Sequence, residues 1–207
     1  MNEISITMAL VDFMPVILFS VSAIMLQHDL YNKMNPTVYA LFAMGTLDII
    51  FAGFSKAFYK LLYAANICDF KVLSNIFFPL QSIGFLMAGI AAMALVTQKN
   101  KVKALYSAAP PLFTGTLIFV TFMCVGLGLL YYALSIIAFK LKKPLVVSLL
   151  IFSFAASLCM GYLSSKNFSL AYINWIAEGT NTFGQGLLLI STIMLRKAGL
   201  GKLEIEL

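Results

Sequence analysis

Long apolar segments recur along the chain and are separated by short polar or charged connections. Each segment has 19 to 28 residues. A helix rises 1.5 Å per residue, so a segment of this length can cross a hydrocarbon layer roughly 30 Å thick. The pattern predicts six transmembrane spans, at about residues 4–26, 37–57, 74–98, 112–139, 145–163 and 170–195.

The spans are predicted to be helices that form one domain. Backbone groups in lipid must be hydrogen-bonded internally, and a transmembrane barrel would show segments of about ten residues with alternating polarity, which this sequence lacks. No connection is long enough for a soluble domain, so we expect residues 1–207 to form a single all-α, polytopic bundle. Aligning Pro36 with Pro144 and Gly53 with Gly161 suggests a weak three-plus-three inverted repeat.

Composition supports a membrane protein and excludes a soluble one. Hydrophobic residues make up 61% of the chain, charged residues 11%, and the mean hydropathy is +0.95, whereas soluble domains have about 25% charged residues. The formal charge of +6 comes from lysines scattered between the spans, so we expect contact with membrane lipid and no nucleic-acid partner. The single histidine excludes haem and zinc sites that need several, and no cofactor or metal is predicted.

Basic residues near the span ends predict the orientation. Nine Lys and Arg residues fall on the side that would hold both termini, and five fall on the other, including the Lys99 to Lys103 cluster. The positive-inside rule then predicts that both termini are cytoplasmic. Thirteen Lys against one Arg is typical of an AT-rich genome, so we expect a multi-pass protein of the bacterial cytoplasmic membrane.

The sixth span carries a stripe of polar residues. Asn174, Glu178, Asn181 and Gln185 are spaced by four, three and four residues, so they share one side of a helix. A carboxylate at this depth is costly in lipid and is expected to face the bundle interior. Hydrogen bonding between helices would explain Asn174, whereas an acid beside several amides favours a cavity for Glu178, Asn181 and Gln185.

Two other spans contribute polar residues near the predicted bilayer centre. The second span contains Asp48, and the third contains Gln81 and Ser82 shortly after Pro79. Proline removes a backbone donor and leaves a carbonyl free, as in the broken helices of transporter sites, although proline kinks are also common in membrane helices that bind no ligand. We expect Asp48 to share a cavity with Glu178, because two acids are better tolerated around common water or a common cation than apart.

Cations are expected to be absent from the spans. Lys56 lies at the end of the second span and should extend toward the headgroups, and residues 56–70 either lengthen that helix or lie in the interface. Asp12, three residues before Pro15, is interpreted as a cap of an N-terminal turn. Acids without a resident base predict handling of protons, sodium or amines.

Three classes of function remain open. The central acids and amides favour a small transporter, or a membrane-embedded binding subunit, for a cationic or polar organic solute, with proton coupling as an option. An integral membrane enzyme acting on a lipid or sterol-like substrate and a sensor or assembly scaffold are the alternatives, and no catalytic residue is assigned. A homo-oligomer or a partner subunit is compatible with each class. The residues predicted to bind the solute are Asp48, Gln81, Ser82, Glu178, Asn181 and Gln185.

Overall fold

The computed structural model describes residues 5–97, 116–163 and 171–202, and this part of the chain is entirely helical apart from its short connections. Short 3-10 turns follow the second and the last helix. The helices are α1 (Ile6–Val11), α2 (Phe13–Leu30), α3 (Pro36–Ala64), α4 (Lys71–Val96), α5 (Thr116–Lys140), α6 (Pro144–Leu163) and α7 (Ala171–Lys197).

The predicted all-α transmembrane bundle is confirmed. Five helical segments are long and apolar enough to cross a membrane, with α1 and α2 counted as one segment that continues to Lys33. Helix α7 has 27 residues and carries the polar stripe, and we treat it as the sixth span. The predicted positions 4, 98–103, 112–115 and 170 lie outside the described residues.

Proline and capping residues explain the first helix boundaries. Pro15 lacks an N–H group and its ring crowds the carbonyl of Val11, so the chain breaks between α1 and α2 at Asp12. Helix α3 begins at Pro36, and the side chain of Asn35 accepts a hydrogen bond from the Val38 backbone N–H at 2.8 Å. Proline at the first helical position and Asn before it are preferred helix-start residues.

Helix α3 is longer than predicted. It continues past residue 57 to Ala64, which decides between the two interpretations of residues 56–70 in favour of a longer helix. No glycine or proline interrupts the sequence between Phe54 and Phe70, and Asn66, with a φ of 55°, ends the helical path. Lys56 and Lys60 therefore lie within a spanning helix.

A break at Pro79 is absent from the described helix α4, which runs without interruption from Lys71 to Val96. The Ser82 hydroxyl donates to the Phe78 carbonyl at 2.7 Å, one turn earlier in the same helix. Pro79 removes only one backbone hydrogen bond, the one to the Asn75 carbonyl, and membrane helices tolerate such a loss. Of the two interpretations of Pro79, the structure therefore supports a proline within a continuous helix.

Glycines bring α3, α4 and α5 into close contact. A Cβ atom placed on Gly45 would lie 2.6 Å from the Gly84 carbonyl oxygen, and one on Gly89 would overlap the backbone of Gly126. Such small residues allow membrane helices to approach until their backbones touch. Gly84 takes part in the contact between α3 and α4, whereas Gly128 in α5 has no neighbour within 4 Å of such a Cβ atom.

Hydrogen bonds link α5, α6 and α7. The Ser153 hydroxyl donates to the Gly184 carbonyl at 2.7 Å and so accepts from the Tyr131 hydroxyl, which lies at 2.6 Å. All three residues lie in the bundle interior, and Ser153 is fully buried. Together with the short connection between α5 and α6, these contacts make α5 and α6 antiparallel neighbours and place α7 against α6.

Helices α2 and α7 run in the same direction. Asp12 at the start of α2 and Glu178 near the start of α7 contact the same lysine, and Asp29 at the end of α2 lies 3.6 Å from Arg196 at the end of α7. Asp12 and Asp29 are about 26 Å apart along the first segment, and Glu178 and Arg196 are about 27 Å apart along α7. We call the two ends of the bundle the Asp12 end and the Asp29 end.

Helices α4 and α5 are also parallel. Phe78 contacts Phe119 with ring centroids 6.3 Å apart, and Gly89, further along α4, contacts Gly126, further along α5. Corresponding helices in the two halves of the chain therefore run in the same direction, whereas an inverted repeat requires opposite directions. The suggested inverted repeat is not present in the described helices.

These directions also separate the chain ends. The first described residue, Ser5, lies at the Asp12 end, and Lys202 follows α7 at the Asp29 end. The expectation that both termini lie on one side assumed that all six spans alternate in direction. The parallel helices α4 and α5 do not fit that assumption, and the terminal residues themselves lie outside the described part of the chain.

Candidate functional site

A buried ionic triad joins three segments of the bundle. The Lys60 ammonium lies 2.9 Å from Asp12 Oδ1 and 2.9 Å from Glu178 Oε1. The side chains of Lys60, Asp12 and Glu178 are 11%, 5% and 3% exposed. The triad therefore connects the α1–α2 junction, α3 and α7 in a place that water barely reaches.

The carboxylates of the triad keep unused hydrogen-bonding capacity. Asp12 Oδ2 and Glu178 Oε2 are buried and have no hydrogen-bond donor among the described residues. Because both acids contact the same ammonium, the two bonded oxygens are at most about 6 Å apart. Buried charges of this kind are normally paired and fully hydrogen-bonded, so the triad can accept further donors.

A small cavity adjoins the triad through Asp12. It lies between α2, α3, α4 and α7 and has a volume of about 60 Å³, which is room for about two water molecules. Its polar lining consists of Asp12, Lys56, Gln81, Asn181 and Gln185. A carboxylate, an ammonium and three amides from four helices thus converge on one space.

Apolar and aromatic side chains form the rest of the cavity wall. They are Pro15, Val16, Phe19, Ile49, Gly53, Phe77 and Phe85. The Lys56 ammonium lies 4.6 Å from the centre of the Phe77 ring, a favourable arrangement for a cation at a desolvated site. An apolar wall with a few convergent polar groups is typical of small-molecule sites, although drug-sized ligands need about 300 Å³ or more.

The structure brings together most of the residues that the sequence predicted. Gln81, Asn181 and Gln185 line the cavity, and Gln185 Oε1 is buried without a hydrogen-bond partner among the described residues. Glu178 lies one turn before Asn181, within the triad. Whether these residues bind a solute stays a prediction.

Two predicted residues lie elsewhere. Ser82 is fully buried and bonded within α4, and Asp48 is half-buried with its Cβ close to Gly84. Neither residue lines the cavity. Asp48 is 12 residues from Lys60, or about 18 Å along α3, so the acid beside Glu178 is Asp12 and the expected pairing of Asp48 with Glu178 is wrong.

Three functional candidates were misjudged from the sequence. Asp12 was expected to cap a turn, but its side chain makes no cap hydrogen bond and pairs with Lys60 instead. Lys56 and Lys60 were expected at the surface. The uninterrupted helix-forming sequence after Phe54, which places both lysines at a spacing of four on one helix face, was the signal that could have located them.

Comparison with protein-family models, with characterised proteins and with solved structures finds no match. Function must therefore be inferred from the chemistry of the site. Within the described ranges, no group of three or more His, Cys, Asp or Glu side chains is arranged to hold a metal ion.

Proposed function

We propose that this protein is a membrane-embedded binding protein or transporter for a small polar organic solute that carries a cationic group. The observation that carries the proposal is the convergence of Asp12, Lys56 and three side-chain amides on one cavity within the bundle. Asn or Gln residues alone can join membrane helices by hydrogen bonds. Joining helices does not require them to surround an open space beside two buried carboxylates.

The size of the cavity limits how the solute can be held. A volume of about 60 Å³ accommodates the polar group of a solute, while a larger body would need α7 to separate from α3 and α4. The Lys60–Glu178 ion pair connects α3 to α7, so opening would involve the triad. Such a rearrangement of helices around a fixed site is how transporters alternate access.

Charge distribution supports an orientation for this protein. The described Asp29 end carries seven basic residues, whereas the Asp12 end carries Lys71 and the two lysines of α3. The positive-inside rule then favours a cytoplasmic Asp29 end and an extracytoplasmic Asp12 end in the cell membrane of a bacterium. The seven residues are Lys33, Lys140, Lys142, Lys143, Arg196, Lys197 and Lys202.

A binding screen tests the proposal. Purified protein in nanodiscs would be screened by thermal shift against amines, amino acids, vitamins and anionic controls. A solute that binds wild type should bind at least about tenfold more weakly to Gln185→Leu, since one lost hydrogen bond to a charged or polar group costs about 1.4 kcal/mol or more. Gln27→Leu is the matched control, because Gln27 lies outside the cavity lining and bonds to Thr46.

The outcomes separate the open classes of function. Binding that weakens in Gln185→Leu and persists in Gln27→Leu supports the proposal. No binding by any solute in the screen, or equal binding by both variants, would favour the sensor or scaffold alternative.

A further inference from the structure

We infer that the Asp12 and Glu178 carboxylates form a binding site for a primary ammonium group of the solute, and that Lys60 occupies this site when no solute is bound. The inference rests on the proposed function and specifies which part of the solute is recognised. Lys60 is then a tethered competitor for the site.

The geometry of the triad is that of an ammonium site. Lys60 Nζ is 2.9 Å from one oxygen of each acid, the distance expected for charge-assisted hydrogen bonds. An ammonium has three donors, and two of them are used here. The remaining oxygens, Asp12 Oδ2 and Glu178 Oε2, are buried without donors in the described part of the chain, so the acids have acceptor capacity beyond the two donors that Lys60 uses here.

Charge balance favours replacement of the Lys60 ammonium by the ligand over binding of a further cation beside it. When all four groups are ionised, Asp12 and Glu178 carry two negative charges, and Lys56 and Lys60 carry two positive charges. A further cation would leave a net positive charge in a site with little water, which is costly. Replacement of the Lys60 ammonium by a ligand ammonium keeps the site neutral.

Lys60 has a place to go when it is displaced. It lies four residues before the end of α3 at Ala64, or about 6 Å along the helix axis. Its flexible four-carbon side chain can turn toward the headgroups at the Asp12 end, as lysines near helix ends do. Lys56 lies one turn deeper, against Phe77, and stays in the cavity wall.

The test uses n-propylammonium, because Lys60→Ala removes the three carbons and the ammonium that this ion contains. Binding to full-length protein in nanodiscs would be measured by calorimetry and thermal shift. We expect Lys60→Ala to bind n-propylammonium about tenfold or more tightly than wild type. In wild type, Lys60 fills the site most of the time, and the apparent affinity equals the intrinsic affinity multiplied by the fraction of protein in which the site is vacant. Tetramethylammonium, which has no N–H donor, should bind neither protein.

Matched variants make the result specific. The gain should disappear in Lys60→Ala combined with Glu178→Gln, and it should be absent in Lys56→Ala, which removes a lysine from the cavity wall and leaves the triad intact. If Lys60→Ala does not fold, Lys60→Gln keeps much of the side-chain volume and removes the charge, and the same gain is expected. No gain in a folded Lys60 variant, or a gain that survives Glu178→Gln, would overturn the inference.

Failure of this inference can be distinguished from failure of the proposed function. A screened solute that depends on Gln185 but binds equally to wild type and Lys60→Gln would keep the proposed function and overturn the ammonium site. A solute that requires Gln185 and binds more tightly to Lys60→Gln supports both.

Discussion

Lys60 makes two contacts of 2.9 Å with acids from different helices, so three segments of the bundle depend on one side chain. Each carboxylate would be very costly at this depth without a cation. Removing one member of such a buried set leaves a charge without its partner, which is usually worse than removing the whole set. The energetic role of the triad is therefore cooperative.

At the residue scale, Glu178→Gln should lower the free energy of unfolding by about 3 to 5 kcal/mol. Lys60 would lose one of its two partners, and the positive charges of Lys56 and Lys60 would be balanced only by Asp12. Reversible unfolding in mixed micelles measures the change. The combined Lys60→Met and Glu178→Gln variant should lose less stability than the two single losses added together.

The exposed ion pair between Lys71 and Asp69 is the control for this experiment. Its atoms lie 3.5 Å apart and both side chains are well exposed. Lys71→Ala should therefore change stability by no more than about 1 kcal/mol. Equal losses for Lys71→Ala and Glu178→Gln would show that the triad is not an important stabilising contact.

A different residue-scale prediction concerns Asp48. This acid is half-buried in the middle of α3 and lines no described cavity, so Asp48→Asn should leave binding of a screened solute within about twofold of wild type. Asn181→Leu, inside the cavity, should weaken the same binding about tenfold. A loss of binding in Asp48→Asn that equals the loss in Asn181→Leu would restore Asp48 to the site.

At the element scale, close glycine contacts hold α3, α4 and α5 together. The lipid tails are as apolar as the helix surfaces, so these contacts depend on backbone approach and packing rather than on exclusion of water. Gly126 lies against the backbone of Phe85 and Leu86 in α4, whereas Gly128, two residues later in α5, faces open space. The two glycines form a natural pair for comparison.

Gly126→Ala should destabilise the protein by about 1 to 3 kcal/mol, because the new methyl group would overlap backbone atoms and force the helices apart. Gly128→Ala should be neutral or stabilise the protein by up to about 1 kcal/mol, because alanine favours helix more than glycine does. Thermal unfolding of both variants in the same detergent measures the difference. Equal stabilities would contradict the close packing of α4 and α5.

Individual helices could be predicted from the sequence because the apolar runs determine them directly. The fifth span, predicted at 145–163, is observed at Pro144–Leu163. The end of α3 could not be placed in this way, because Lys56 and Lys60 lower the hydropathy of a segment that is still helical. Their burial depends on Asp12 and Glu178, which are distant in sequence, and hydropathy does not report such pairing.

At the scale of the whole molecule, helix directions decide which residues can meet. Glu178 reaches Lys60 only because α7 is parallel to α2 and antiparallel to α3. With spans that alternated throughout the chain, Glu178 would lie at the end opposite Asp12, and no triad could form. The amides of the site were predictable from helical spacing within α7, whereas the ionic part depended on the parallel pair α4 and α5, which no local pattern indicates.

Cysteine labelling in intact cells tests this topology. Cys68 is exposed in the connection after α3, at the Asp12 end, and provides a native reporter once Cys124 and Cys159 are replaced by alanine. A membrane-impermeant maleimide should label Cys68 from outside. In a protein that also lacks Cys68, Lys142→Cys at the Asp29 end should be labelled only after the cells are opened, because basic residues concentrate at the cytoplasmic end.

The opposite labelling pattern would show that the protein has the reverse orientation in the membrane and would not contradict the fold. Labelling of Cys68 and of Lys202→Cys from the same side would contradict the parallel arrangement of α2 and α7, on which the triad and the proposed ammonium site depend.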